Sequence, residues 1–227
     1  MKILAIDTAL DQSSVCLFDT ELGSPLASET LAMQRGHGEA LIPMIQRVMA
    51  DAALPFSAIN RIAVTVGPGS FTGVRIGLSA ARGLALALDC ALVGVTTFSA
   101  FAGPIFAEKR GVPVVVVLDA RNDQVYVQVF GDTGAPLAAP LACPLTEAAK
   151  ALGVAQAIVT GTAASAFMVR AAAFGVDVQH YPSGHGPDIA LVARIGAAAH
   201  PDRAPARPLY IRAPSVSVPR QSSFVQA

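Results

Sequence analysis

The chain has 227 residues, with sixteen basic and sixteen acidic side chains, and 53% of it is hydrophobic. A charged share of only 14% excludes a largely disordered chain, and zero net charge excludes an ordinary basic nucleic-acid binder that works by neutralising phosphates. This length and apolarity suit one large core or two small lobes.

The elements follow in chain order. Residues 3–7 form a β-rich apolar run ending in Asp7; a polar turn at 8–12 and a second run at 14–18 complete a hairpin. A strand is expected near 27–32. Across 39–53, Leu41, Met44, Ile45, Val48, Met49 and Ala52 recur at helical spacing, with Pro43 near the first turn. Then come a strand at 61–66, a glycine-rich loop at 67–73, a helix at 74–88 and a strand at 91–95. The second half follows the same plan. Residues 114–119 end in Asp119, 125–130 alternate as a hairpin partner, 146–152 read as a helix, 157–160 as a strand meeting Gly161, and 189–199 as a helix. Residues 201–220 hold five prolines and four arginines, and 213–227 are expected to form an extended tail.

The halves share a pattern, D-x-x-x-D-Q, at Asp7–Gln12 and Asp119–Gln124, each between two strand-like runs. Duplication at this scale predicts an α/β molecule of two tandem actin-like (ribonuclease H-like) lobes, each a mixed sheet with helices. The expected boundaries are 1–100 and 101–212.

The strongest local feature is Gly67-Pro68-Gly69-Ser70-Phe71-Thr72-Gly73 between a strand and a helix. Glycines there allow either close approach of an anion to a helix N-terminus or simply a tight turn capped by Ser70 or Thr72. The loop has no G-K-[ST], no G-x-G-x-x-G and no nucleophile elbow. Asp7 and Asp119 end strands, where a carboxylate can hold a metal or orient water, or can begin a turn by bonding its own backbone. Asp7, Thr8, Gly67, Gly69, Ser70, Asp119 and Gly161 are therefore the candidate nucleotide-binding residues. His37 reads as a cap or surface residue. His180 and His185 have loose spacing that matches no structural zinc pattern. Cys16, Cys90 and Cys143 contain no C-x-x-C, so neither a zinc ribbon nor a redox motif is indicated. No metal site and no Ser–His–Asp set is expected.

In the helix at 74–88, Gly73, Gly77, Ala81 and Ala85 recur every four residues and leave a smooth stripe for close helix packing. The other faces are also apolar, more so than one sheet can cover, and this points to a partner subunit. The longest apolar helical stretch, 76–88, contains Arg82 and is short for a bilayer. With Met1 leading directly into a strand and no signal-peptide pattern, a cytoplasmic protein without membrane contact is expected.

Four segments carry a family resemblance. They are Met1–Thr8; the block Gly67-Pro68-Gly69-Ser70-Phe71-Thr72-Gly73-Val74-Arg75-Ile76-Gly77; Leu118-Asp119-Ala120-Arg121 with Val125-Tyr126; and Pro208-Leu209-Tyr210-Ile211-Arg212, similar to a C-terminal P-x-Y-[LI]-R. In order and spacing they resemble the TsaB family from end to end, most weakly in the middle of the second lobe. The resemblance implies the actin-like fold and a relative, TsaD, that performs threonylcarbamoyl transfer and carries a metal-binding H-x-x-x-H after the strand that follows the glycine loop and its helix. Here Thr97 and Phe101 stand at those places, and neither can replace imidazole. The resemblance therefore implies a non-catalytic scaffold for transfer from threonylcarbamoyl-adenylate to the tRNA adenosine next to the anticodon. It implies pairing with a TsaD-like subunit through 39–53 and 74–88, with Leu41, Met44, Ile45, Val48, Gly73, Gly77, Ala81 and Ala85 as interface. It further implies recruitment of a TsaE-like ATPase, contact with tRNA through the complex, a homodimer when alone, and no required cofactor beyond weak ATP or ADP binding. The alternative is a self-sufficient actin-like ATPase or kinase. A metalloprotease is disfavoured by the missing histidines.

Overall fold

The computed structural model describes residues 1–108, 111–150 and 152–211; Arg212 and the expected tail 213–227 lie outside the described residues. The first half runs β1 (Lys2–Leu10), β2 (Gln12–Asp19), β3 (Ser24–Ala32), α1 (His37–Asp51), β4 (Arg61–Thr65), α2 (Phe71–Leu88), β5 (Ala91–Val95) and α3 (Thr97–Ala107). The second half runs β6 (Val114–Asp119), β7 (Gln124–Phe130), β8 (Leu141–Pro144), α4 (Leu145–Lys150), β9 (Gln156–Thr160), α5 (Ala164–Ala172), β10 (Asp177–His180) and α6 (Ile189–Ala198). The two halves repeat the same succession of elements.

The sheets repeat as well. Their strand orders are β3-β2-β1-β4-β5 and β10-β9-β6-β7-β8, which is one order read in opposite directions. In each, the first strand pairs antiparallel with the second and parallel with the fourth. Two mixed sheets of one topology make the tandem actin-like arrangement. The duplication that D-x-x-x-D-Q suggested is real, with Asp7 on β1 and Asp119 on β6 at corresponding hairpins.

Side-chain alternation explains why the central strands are apolar on both faces. On β1, Leu4 and Ile6 join the core under α1 and α2, while Ile3 and Ala5 join the core under α6. On β6, Val114, Val116 and Leu118 meet α3, and Val115 and Val117 meet the α4–α5 side. Period-2 alternation sends neighbouring residues to opposite faces, so a strand covered on both reads as one continuous apolar run.

The last helix of each half covers the sheet of the other. Phe98, Phe101 and Ile105 of α3 share a core with Val114 and Val116 of β6, and Ile189, Val192 and Ala193 of α6 pack with Ile3, Ala5 and Ala63. Gly196 permits this close seating of α6, because a Cβ there would lie 2.4 Å from that of Ala63. Arg61 Nη1 then donates to the carbonyls of Gly196, Ala197 and Ala199 at 3.0, 2.9 and 2.9 Å, where the helix leaves carbonyls unpaired. Past α6 the chain stays on the first lobe: the amide of Gly94 donates to Ala204 O at 2.8 Å and that of Leu209 to Val66 O at 2.7 Å. The expected boundary at residue 100 falls inside α3, and residues 189–211 pack largely on the first lobe, with α6 also meeting α3 at Gly103.

Several bounds differ from expectation. The helix expected at 39–53 is His37–Asp51, with Pro43 in its second turn, where only one N–H is lost. The strand expected near 27–32 begins at Ser24. α2 begins at Phe71, so Gly73 is helical and not in the loop. α3, β8, α5 and β10 were not anticipated; α3 is apolar nearly all round and so lacks an amphipathic period. Among the described residues α2 alone is long and apolar enough to cross a bilayer, longer than the stretch 76–88 suggested. One face of it packs on β1 and β4 instead.

Candidate functional site

A cleft of about 870 Å³ opens between the lobes. The first lobe contributes the β1–β2 turn at Ala9–Asp11 and the loop Pro68–Thr72. The second contributes the β6–β7 turn at Asp119–Asn122, Gly161, Thr162, Ser165, His180 and His185, and Leu209–Ile211 forms a rim. Of the candidate nucleotide residues, Gly69, Ser70, Asp119 and Gly161 line this cleft; Asp7, Thr8 and Gly67 do not.

The two aspartates occupy corresponding turns in different environments. Asp7 Oδ1 accepts from the amide of Ala9 at 3.2 Å and Asp119 Oδ1 from that of Arg121 at 2.8 Å. Each bonds the backbone two residues on, which is the turn-initiating role. Asp119 is exposed, whereas Asp7 is fully buried. The Thr65 hydroxyl donates to Asp7 Oδ1 at 2.6 Å, but Oδ2 has no partner among the described residues. Burial pushes the Asp7 carboxyl above its ordinary range, and the Thr65 and Ala9 hydrogen bonds only partly oppose this. Asp7 is thus sealed under the turn and stands outside the cleft lining.

The glycine loop is a packed turn. The Ser70 amide donates to Ala9 O at 2.7 Å, and a Cβ on Gly69 would lie 2.1 Å from that same oxygen. Gly67 has φ of 96°, open to glycine at little cost. Ser70 Oγ accepts from the Gly73 amide at 3.2 Å and caps α2. The Ser70 amide and the Gly73 amide are thus committed within the turn. Thr8 is equally committed, its hydroxyl donating to Gly73 O at 2.7 Å.

The stripe on α2 faces inward. A Cβ on Gly73 would lie 2.1 Å from Thr8 O, and one on Gly77 would lie 2.5 Å from Thr8 Oγ1; Ala81 is fully buried. On α1, Leu41, Met44, Ile45 and Val48 are no more than 1% exposed. All eight expected interface residues, Ala85 included, thus belong to the chain's own core. Helical spacing marks an apolar face without saying what covers it, and here β1, β2 and β4 do.

The outer faces of these helices are a different surface. Ile42 is 47% exposed and Phe71 37%. With Thr72, Arg75, Ile76, Ser79 and Ala80 they border an open groove of about 550 Å³ between α1 and α2, lined mainly by carbon. The only sequence signal for it was an Ile off the buried face of α1 and the excess apolarity of α2.

Other candidates resolve simply. His37 is buried in the first turn of α1, its Nε2 3.1 Å from Leu10 O. His180 and His185 line the cleft, and no cluster of three metal-ligating side chains occurs among the described residues. Thr97 is fully buried, its amide donating to Gly67 O at 2.8 Å, and Phe101 sits in the core at 4% exposure.

The family model for tRNA N6-adenosine threonylcarbamoyltransferase (TsaD) matches residues 29–183, more than half of the chain. The tRNA threonylcarbamoyladenosine biosynthesis protein TsaB of Escherichia coli is 38% identical over 126 residues, 56% of this chain and 53% of that protein. The chain belongs to this family, in its TsaB/YeaZ group. TsaB of Bacillus subtilis is 30% identical over 132 residues, 57% of this chain and 55% of that one. The chain spans about half the length of these relatives. The crystal structure of YeaZ from Pseudomonas aeruginosa superposes with a TM-score of 0.73 at 26% identity, covering 92% of this chain and 99% of that one. A polyphosphate/ATP-glucomannokinase from an Arthrobacter strain superposes at 0.53 with 13% identity, covering 88% of this chain and 99% of that one, a likeness of fold alone.

Of the cysteines of this TsaB/YeaZ chain, Cys16 is buried in β2, and Cys90 and Cys143 are half-buried. Burial pushes the Cys16 thiol up to about 12 and raises those of Cys90 and Cys143. A thiol held protonated is a poor nucleophile. Iodoacetamide at pH 7.5, followed by mass spectrometry, is expected to leave Cys16 unlabelled in the native protein and label it after unfolding. Rapid native labelling would contradict its placement in β2.

Proposed function

We propose that this chain is a non-catalytic subunit of the assembly that transfers threonylcarbamoyl from threonylcarbamoyl-adenylate to the tRNA adenosine next to the anticodon. It docks a TsaD-like transferase through the outer faces of α1 and α2. The observation that carries this reading is the exposed apolar groove between those helices, in a chain whose Thr97 and Phe101 are spent on core packing. A monomer gains nothing by leaving such a patch in water, and aliphatic or aromatic side chains there supply the burial that association needs. A TsaE-like ATPase and tRNA join through the complex, which places the chain in the cytoplasm. The interlobe cleft leaves room for weak ATP or ADP binding on the Asp119–Gly161 side.

The rival reading, a self-sufficient ATPase, has the cleft in its favour and the sealed Asp7 against it. One experiment separates them. Ile42→Glu puts a charge in the groove and leaves the core untouched. In cells it is expected to abolish most tRNA threonylcarbamoylation, read by nucleoside mass spectrometry, while the purified variant keeps its melting temperature. The purified wild-type chain alone is expected to transfer no threonylcarbamoyl. Transfer by the chain alone, or ATP turnover of about 1 per second or more that Asp7→Asn abolishes, would overturn the scaffold reading.

A further inference from the structure

Two of the segments that carry the family resemblance meet on the surface. Phe71 and Arg75 come from the glycine-loop block, and Tyr210 from the C-terminal P-x-Y-[LI]-R. The guanidinium carbon of Arg75 lies 3.7 Å from the Phe71 ring centroid and 5.8 Å from that of Tyr210, and the two rings are 5.4 Å apart. Arg75 Nε donates to the Tyr210 hydroxyl at 2.9 Å. The Leu209 amide anchors the segment to Val66 O.

This clamp matters because of where Arg75 stands. Among the described residues it is the one charged side chain lining the α1–α2 groove, and it forms no ion pair there. A free surface arginine samples many rotamers and loses that freedom on binding. Stacked on Phe71 and tied through Nε, Arg75 is ordered beforehand, with its two terminal nitrogens unused among the described residues. That fork matches a carboxylate by two parallel hydrogen bonds.

We propose that Tyr210 is a positioning residue that holds Arg75 at the groove wall, and that the segment docking there is an apolar helix face of the transferase subunit bearing a carboxylate opposite Arg75. This rests on the groove being the docking surface. Charge complementarity selects the occupant. A second copy docked symmetrically would bring a second Arg75 to an apolar groove whose lining, among the described residues, holds no acid to offset it.

The test measures Kd between the purified full chain and the TsaD-like subunit of the same organism, across salt concentrations. Arg75→Glu is expected to weaken association about tenfold or more. Arg75→Gln should flatten its salt dependence, because the lost contact is ionic. Tyr210→Phe keeps the ring and removes only the hydroxyl. It should weaken association about threefold in the wild-type background and not at all in the Arg75→Gln background, since the two act as a unit. A merely structural Tyr210 would cost the same in both, and that result overturns the positioning role. Association lost in Ile42→Glu but indifferent to Arg75→Glu leaves the groove as docking surface and overturns the carboxylate. Association that survives Ile42→Glu overturns both readings. So does a groove that holds only a second copy, seen as self-association lost in Ile42→Glu with no complex formed.

Discussion

Gly73→Ala is expected to destabilise the protein by about 3 kcal/mol or more, a large share of a typical domain's total. The new Cβ would stand 2.1 Å from Thr8 O. That oxygen belongs to the backbone of β1, the central strand of its sheet, so neither partner can swing aside. α2 would have to lift from the strand, breaking the bond from the Thr8 hydroxyl to Gly73 O and opening the core around Ile6, Val64 and Leu78. Gly83 on the same helix provides the control. Nothing lies within 4 Å of a Cβ there, so Gly83→Ala should stabilise by about 1 kcal/mol through helix propensity alone. Urea unfolding followed by circular dichroism reads both. Equal effects at the two glycines would mean that α2 does not lie on β1 as described. Gly77→Leu should follow Gly73→Ala in direction and lower monomer stability, because the stripe is internal.

Asp7→Asn is expected to raise stability at pH 7, by about 1.4 kcal/mol for each unit that burial raises the carboxyl. The sign follows from linkage. In the folded state the Asp7 pKa lies above its ordinary value of 3.8, so folding favours the protonated form. That contribution is fully present below 3.8 and is lost as pH rises through the raised folded value. Above it the fold carries a buried charge at a cost. Asparagine keeps the acceptor for Thr65 and Ala9 and removes the charge, replacing an unpartnered oxygen with an unpartnered amide. The gain should therefore shrink as pH falls toward 4. Urea midpoints for both proteins between pH 4 and 8 test this. A variant less stable than wild type at pH 7, with the deficit closing at pH 4, would show that the fold stabilises the carboxylate's charge. tRNA modification should survive this substitution.

The sequence by itself determined the features that depend on neighbours in the chain. Alternating apolar residues at 3–6 and 114–118 specify strands, helical spacing at 39–53 specifies a helix, and D-x-x-x-D-Q marks two corresponding hairpin turns. The glycine block between strand and helix specifies a tight, capped turn. These follow from side-chain period and backbone freedom, which act within a few residues. Tertiary structure alone decided what each apolar face meets. Leu41, Met44, Ile45 and Val48 have a spacing that suits a partner or a sheet equally, and the chain's own sheet, chiefly β2, claimed them. Asp7 and Asp119 share a local pattern, yet one is sealed beneath Thr65 and the other is open to the cleft. The crossing of α3 and α6 onto opposite sheets, and the meeting of Arg75 with Tyr210 from 135 residues away, join parts of the chain that no local period relates. Burial is a property of the surface a residue is pressed against, and that surface comes from elsewhere in the chain.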